Sequence, residues 1–372
     1  MYIYQHADWP GFVWDEAKLT GLLAEVSHKQ GRLIGRMERL GFSLQSEASL
    51  LNMTSEILKS HEIEGEILDS DQVRSSIARR FGMNIAGLVP SDRSIDGVVE
   101  AMIDATQDFE SPLTESRLFG WHAALFPTGH SGMHRIVVGA WRDNHPDDPM
   151  QVVSGAMGKE KVHFQAPPAN QLSREMAKFF KWFNTTTMMQ PIIKAGVAHL
   201  WFITIHPFDD GNGRLARTIT DMQLTRADKI KQRFYSMSTQ IRQERKAYYQ
   251  ILEKTQKGSL DITAWLEWFL ACLGRALDTA EDTLSGVIYK ARYWDLLVSK
   301  SLNDRQRLML NRLLDGFYGK LTTSKWAKIT KCSQDTALRD IQNLIDQDVL
   351  EKENAGGRST NYRLIALNSE NN

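Results

Sequence analysis

Apolar residues recur every three or four positions through most of the chain, the spacing that gathers them on one face of a helix. Residues 15–59 carry LLAEVSHKQGRLIGRMERLGF, and SEASLLNMTSEILKSHEIEGEILD continues the period. DSDQVRSSIARRFG and SIDGVVEAMIDATQDF predict two more helices, split by the loop MNIAGLVPSDR. Residues 1–20 hold Trp9, Pro10 and Trp14 and predict an irregular cap. Between residues 132 and 168 the period changes. IVVGAW, MQVVSG and KVHFQ are short runs rich in β-branched residues, parted by the turn formers RDNHPDDP and GAMGKE. They predict a small β-hairpin or flap ending at Ala166, Pro167 and Pro168. Helical spacing resumes in REMAKFFKWFN and IIKAGVAHLWFITI. It continues in LARTITDMQLTRAD, ERKAYYQILEKTQ and a long helix through TAWLEWFLACLGRAL.

Near residue 300 the character changes again. LNDRQRLMLNRLLDGF, SKWAKITK and SQDTALRDIQNLIDQDVL predict three shorter helices, followed by the turn ENAGGRST and the strand NYRLI. That order suits a winged helix-turn-helix. The final NSENN is expected to fray. The fold class is thus mainly α, a helical core with a small β-hairpin flap followed by a winged helix-turn-helix domain. Residues 1–110 form an N-terminal helical region, 111–298 the core and 299–372 the winged module.

Composition narrows the function. The 372 residues balance 45 Lys+Arg against 45 Asp+Glu, so bulk charge does not make the chain a polycation for nucleic acid. Any such site must be local. Hydrophobic residues make up 42%, enough for a sizeable core. The two cysteines, Cys272 and Cys332, lie far apart and outside any CxxC pair, which excludes a disulfide framework and a Cys-rich zinc site. A reducing, cytoplasmic location follows as an expectation. The N-terminus lacks a basic region followed by an apolar one, and no apolar run is long enough to span a bilayer, so neither a signal peptide nor a membrane segment is expected.

The informative string is HPFDDGNGRLAR, residues 206–217. Gly211-Asn212-Gly213 permits a tight turn whose backbone N–H groups converge on an anion. A helix begins directly after it, so the turn sits at a helix N-terminus that favours phosphate. Arg214 and Arg217 are three apart, face one side and can fork onto phosphate oxygens. Asp210 offers Mg²⁺ a hard oxygen, and that ion favours one carboxylate plus substrate phosphates. His206, at the end of an apolar helix, can take a proton from an attacking hydroxyl.

At every defined position this string resembles the Fic family signature, HPFx(D/E)GN(G/K)RxxR. The resemblance implies a Fic-type helical core. It also implies transfer of AMP from ATP to a Ser, Thr or Tyr hydroxyl of a target protein. His206 would be the base, Pro207 and Phe208 loop anchors, and Asp210 the Mg²⁺ ligand. The Asn212 amide and neighbouring N–H groups, Gly211 and Gly213 among them, would stabilise the α-phosphate. Arg214 would hold the β- and γ-phosphates and Arg217 the γ-phosphate, with Leu215 and Ala216 between them in the same nucleotide-binding stretch. Gly213 stands where the Doc-like kinases carry Lys, so the chain departs from that branch.

The flap at residues 150–155 would pair with the target as an added strand. In relatives, flap backbone and a Tyr of a following YY pair contact the base. Here these are Val152, Val153, Ser154, Gly155 and the pair Tyr248-Tyr249, with Gln256 one helical face further on. The tyrosines equally suit simple helix packing.

Ser60-His61-Glu62-Ile63-Glu64-Gly65 matches the family's inhibitory pattern (S/T)xxxE(G/N). Gly65 would cap the helix. Glu64 would then pair with Arg217 and take the place of the γ-phosphate, the class II arrangement of the family. The resemblance also implies homodimerisation, and in some relatives the equivalent Glu helps remove AMP. The C-terminal segment resembles the winged helix-turn-helix of bacterial regulators. Gln334, Asp335, Thr336 and Arg339 would form a reading face and Arg358 the wing, with DNA or a protein as partner through residues 299–372. Two readings stand. One is a Mg·ATP-dependent protein adenylyltransferase restrained by its own N-terminal helix. The other is a DNA-binding regulator whose Fic core senses nucleotide or removes AMP.

Overall fold

Asp15 starts the first helix by accepting hydrogen bonds from the backbone N–H groups of Ala17 and Lys18. In the computed structural model the chain is described throughout residues 1–372 except 84, 86, 156–158, 160, 187, 315–316, 318, 354–359 and 367–372. The helices are α1 (Glu16–Glu38), α2 (Phe42–Ile63), α3 (Ser70–Arg80), α4 (Arg93–Gln107) and α5 (Glu115–Leu125). Two very short strands, β1 (His130–Ser131) and β2 (His134–Arg135), precede the hairpin of β3 (Gln151–Ser154) and β4 (Lys161–Gln165). Then come α6 (Leu172–Asn184), α7 (Pro191–Ile205), α8 (Asn212–Asp228), α9 (Met237–Gln243), α10 (Arg245–Gln256) and α11 (Thr263–Leu297).

The chain divides into two units, residues 1–281 and 282–372. In the first, α7 is the central post. From Ile192 to Ile205 every residue is buried, Lys194, His199 and Thr204 included, so its apolar positions go round the helix rather than forming one stripe. Pro191 opens the helix at its first position, and the Gln190 side chain accepts from Ile192 N and Ile193 N. The packing of α8 against α7 is the most extensive between any two elements, and α2 packs on α3 and α9. Glu56 of α2 accepts from Ser236 Oγ (2.8 Å) and Ser238 N (2.9 Å), which ties the middle of α2 to the start of α9.

The expected hairpin forms antiparallel, with Gln151 opposite Gln165 and Val152 opposite Phe164. A register shift then sets Val153 opposite Val162. Much of its turn lies outside the described residues. IVVGAW, expected as a β-branched run, forms no strand. Its N–H groups go to the neighbouring loop and helix instead: Val137 N donates to Asp209 Oδ2 (2.9 Å) and Gly139 N to His122 Nδ1 (3.1 Å).

The second unit contains the last turns of α11, then α12 (Asp304–Leu314), α13 (Thr323–Thr330), α14 (Gln334–Asp346) and the antiparallel pair β5 (Leu350–Lys352) and β6 (Tyr362–Leu364). Tyr293 and Leu297 join Met309, Leu310, Trp326, Ile341 and Leu344 in its core. The division at 281/282 therefore falls inside α11, not at the boundary near 298 expected from sequence. The segment GVIYKARYWDLL has no Pro to break the helix, and its apolar face belongs to the second core. Residues 1–110 likewise form no separate unit, because α2 and α4 pack directly on α8. The proposed wing tip, with Arg358, and the terminal NSENN lie outside the described residues.

Candidate active site

The loop between α7 and α8 is built from two left-handed turns. His206 ends α7 with φ +51° and Gly211 opens α8 with φ +83°. A Cβ at Gly211 would also sit 2.9 Å from Phe126 Cε2, so conformation and space both require glycine. Phe208, fully buried, stacks on His122 with ring centroids 4.1 Å apart. His122 accepts from Gly139 N at Nδ1, so its Nε2 carries the proton and donates to Asp210 O (3.2 Å).

Asn212 staples the loop from within. Its Nδ2 donates to Phe208 O (2.8 Å) and its Oδ1 accepts from Phe208 N (3.0 Å). Each of its polar atoms thus helps to close the loop, and the second N–H of Nδ2 is left for the α-phosphate expected there. Backbone donors add to it. α8 has no side-chain cap, and the first-turn N–H groups of a helix have no intrahelical acceptor.

His206 Nδ1 donates to Ile203 O (3.2 Å), which leaves the Nε2 lone pair free. Burial, aided by the positive charge of Arg142, lowers its pKa to about 4 against the opposing effects of that hydrogen bond, Asp210 and Glu64. The imidazole is therefore neutral at physiological pH, as a general base requires. Asp210 accepts from Ser131 Oγ and Gly211 N.

These groups line a cavity of about 900 Å³. His206, Asp210, Gly211, Asn212 and Gly213 form one wall and Val152, Val153 and Ser154 of the hairpin another. Tyr248, Tyr249 and Gln256 of α10 form a third, and Glu64 also reaches the cavity. Tyr248 is nevertheless buried, its hydroxyl bound to His199 Nε2 (2.8 Å), and Gln256 Nε2 donates to Thr204 Oγ1 (3.3 Å). Leu215 and Ala216 are fully buried and, with Gly155, fall outside the lining; Arg214 and Arg217 also lie outside it, buried behind the first turn of α8.

Both arginines of the string are occupied by carboxylates. α2 ends at Ile63, and Gly65 turns the chain with φ +86°. Arg217 Nη2 donates to Glu64 Oε1 (2.8 Å) and to Ser60 O (2.8 Å), and its Nε donates to Ser60 Oγ (2.8 Å). Burial pushes the Glu64 carboxyl up, but Arg217, helped by Arg214 and the Tyr249 hydroxyl, outweighs it and leaves the carboxyl below its ordinary value. The expected Glu64–Arg217 pair is thus present in the geometry. Glu66, which the pattern ending at Gly65 did not flag, grips Arg214 Nη1 with both oxygens (2.8 and 2.7 Å). Each guanidinium keeps one buried nitrogen with no partner, Arg214 Nε and Arg217 Nη1. Orphaned donors of that kind suit an anion. A Cβ at Gly213 would lie 2.2 Å from Glu64 Oε1, so this close approach exists only because residue 213 is glycine.

Residues 112–224 match the model of the Fic/DOC family, and residues 2–83 match a domain of unknown function, DUF4172. Among curated proteins, the chain is 33% identical over 151 residues to the protein adenylyltransferase Fic of Culex quinquefasciatus and 30% identical over 151 residues to that of Drosophila ananassae. Each match covers 39% of this chain and 27% of the relative. The chain thus matches about a quarter of the length of these relatives. Among solved structures, a Fic family protein from Desulfovibrio desulfuricans G20 aligns with TM-score 0.52 and 22% identity over 93% of this chain and 95% of its own. A Fic domain containing signaling protein from Bacteroides thetaiotaomicron VPI-5482 aligns with TM-score 0.51 and 20% identity, over 70% of this chain and 97% of its own. These two share the fold.

Proposed function

We propose that the Fic/DOC domain at residues 112–224 moves AMP from ATP to a Ser, Thr or Tyr hydroxyl of a protein, and that the end of α2 holds this transfer back. The observation that carries the reading is one cavity holding three complementary parts. They are a neutral imidazole with a free Nε2, a carboxylate, and a helix N-terminus, with two buried guanidinium groups just outside the lining. The names of the curated relatives point the same way.

In this reading the triphosphate lies against the first turn of α8. Arg214 and Arg217 turn from glutamate to phosphate, a like-for-like exchange of acceptors. The target hydroxyl attacks the α-phosphorus, its proton passes to His206 Nε2, and pyrophosphate leaves. Asp210 fits Mg²⁺, which takes one or two carboxylates and completes its shell with phosphate and water. Among the described residues no cluster of three or more His, Cys, Asp or Glu suggests an all-protein metal cage. The ion would supply charge neutralisation at the phosphates.

Glu64 and Glu66 restrain the site by holding the two cations that a triphosphate needs. Glu64→Gly is expected to raise incorporation of label from α-labelled ATP into protein by roughly tenfold or more, a change of ~1.4 kcal/mol in the competing ion pair. Adding His206→Ala should abolish it. Equal labelling by wild type and Glu64→Gly would remove the restraint, and labelling that survives His206→Ala would remove the base.

A second reading concerns residues 282–372. We infer that α13, α14 and the β5–β6 pair form a winged helix-turn-helix. Ser333 caps α14, and Gln334, Asp335 and Arg339 are exposed on it. That face suits a nucleic-acid groove, and a DNA partner would add a regulatory role to the transfer activity.

A further inference from the structure

Arg142 does not line the cavity, yet its side chain binds the backbone of the residue proposed as base. It is 2% exposed, and its three acceptors come from three segments. Nε donates to His206 O (2.8 Å), Nη2 to Pro167 O (2.6 Å) and Nη1 to Asn144 Oδ1 (2.5 Å). The backbone N–H of Arg142 also donates to Pro207 O (3.0 Å). Pro167 lies two residues past the end of β4, and Asn144 lies in the loop that leads to β3. One planar fork therefore joins both stems of the hairpin to the carbonyl of His206.

The arrangement is costly. Burial without a carboxylate among these acceptors drives the guanidinium's pKa down to about 10. An apolar residue of similar volume would fill the space without that penalty. His206 is in turn a non-glycine residue held in the left-handed region, a conformation that persists only where its surroundings enforce it. The bond from Arg142 to the His206 carbonyl supplies part of that enforcement.

We propose that Arg142 is a positioning residue that sets the His206 backbone against both stems of the flap, so that seating a target strand on β3 and aligning the imidazole become one mechanical event. This rests on the transfer reading above. Lysine at 142 would keep the charge but cannot bridge three acceptors in a plane. In a Glu64→Gly background, Arg142→Lys is expected to hold ATP affinity by calorimetry within about twofold while turnover falls roughly tenfold to a hundredfold. The backbone amide resonances of residues 205–209 should shift as well, with those of α14 unmoved. Arg142→Met should lower turnover further, and because it strips His206 O, Pro167 O and Asn144 Oδ1 of their donor it should lower the melting temperature despite removing a buried charge.

Turnover in Arg142→Lys within about twofold of its parent overturns the proposal. So does an ATP affinity that falls in step with turnover, which marks a general loss of structure. If the Glu64→Gly parent transfers nothing, the transfer reading fails, and unshifted resonances at 205–209 in Arg142→Lys still overturn the positioning of His206 by themselves.

Discussion

Arg214 sits between two acids of unequal hold. Glu66 grips it at 2.8 and 2.7 Å, and Asp210 stands off at 3.5 Å. The arginine is almost fully buried while the Glu66 side chain is nearly half exposed, so Glu66 is the partner free to leave. Glu66→Gln removes the competing charge without changing size. It is expected to tighten ATP binding in calorimetry by roughly five- to tenfold, about 1–1.4 kcal/mol, and to lower the melting temperature of the nucleotide-free protein, because a buried guanidinium then lacks its counter-charge. Unchanged affinity would leave Glu64 as the sole restraint. HPFDDGNGRLAR was legible in the sequence because its chemistry is packed into twelve neighbouring positions. Glu66 and Arg142 were not, because each acts on a residue distant in sequence and carries no local pattern. The second task of Asn212, closing the loop on Phe208, was not legible either.

Among elements, α2 works as a ruler. Glu56 and Ser60 of α2 and Glu64, the residue that caps it, recur every four residues, the first fixed to α9 and the other two on Arg217. The hairpin is held differently. His163 of β4 is bound by Ser154 Oγ at Nε2 (2.6 Å) and by Glu253 Oε2 of α10 at Nδ1 (2.7 Å), so a single imidazole fastens both strands to the helix. Among the described residues β3 pairs only with β4, so its other edge carries no strand, as the proposed docking of a target strand requires. His163→Ala is expected to raise the KM for a protein target several-fold, at roughly 1 kcal/mol per lost hydrogen bond, and to leave ATP affinity unchanged. A changed ATP affinity with an unchanged target KM would mean that the fastening serves the nucleotide instead. The helices and the hairpin followed from periodicity. The segment at 136–141 did not, because its amides are spent on Asp209 and His122, partners that periodicity cannot see.

For the molecule as a whole, equal numbers of acidic and basic residues mean that any affinity for nucleic acid must come from one face. If α14 is that face, fluorescence anisotropy should show binding of mixed-sequence duplex DNA that weakens steeply with added salt and falls further in Arg339→Ala. No binding even at low salt would assign the second unit to a protein partner. Its three helices and final strand were readable from the sequence, but β5 was not, because Leu350 was read as the end of the preceding helix. The division of the chain was not, since α11 runs on with its helical period intact while its apolar face passes from one core to the other.

The 2.2 Å approach at residue 213 has a hereditary consequence. Any descendant that acquired a side chain at this position would have to displace the Glu64 carboxylate in the same step. Across a lineage, a side chain at 213 should therefore come with a shifted or missing acid at 64, whereas loss of the acid leaves glycine at 213 free to stay.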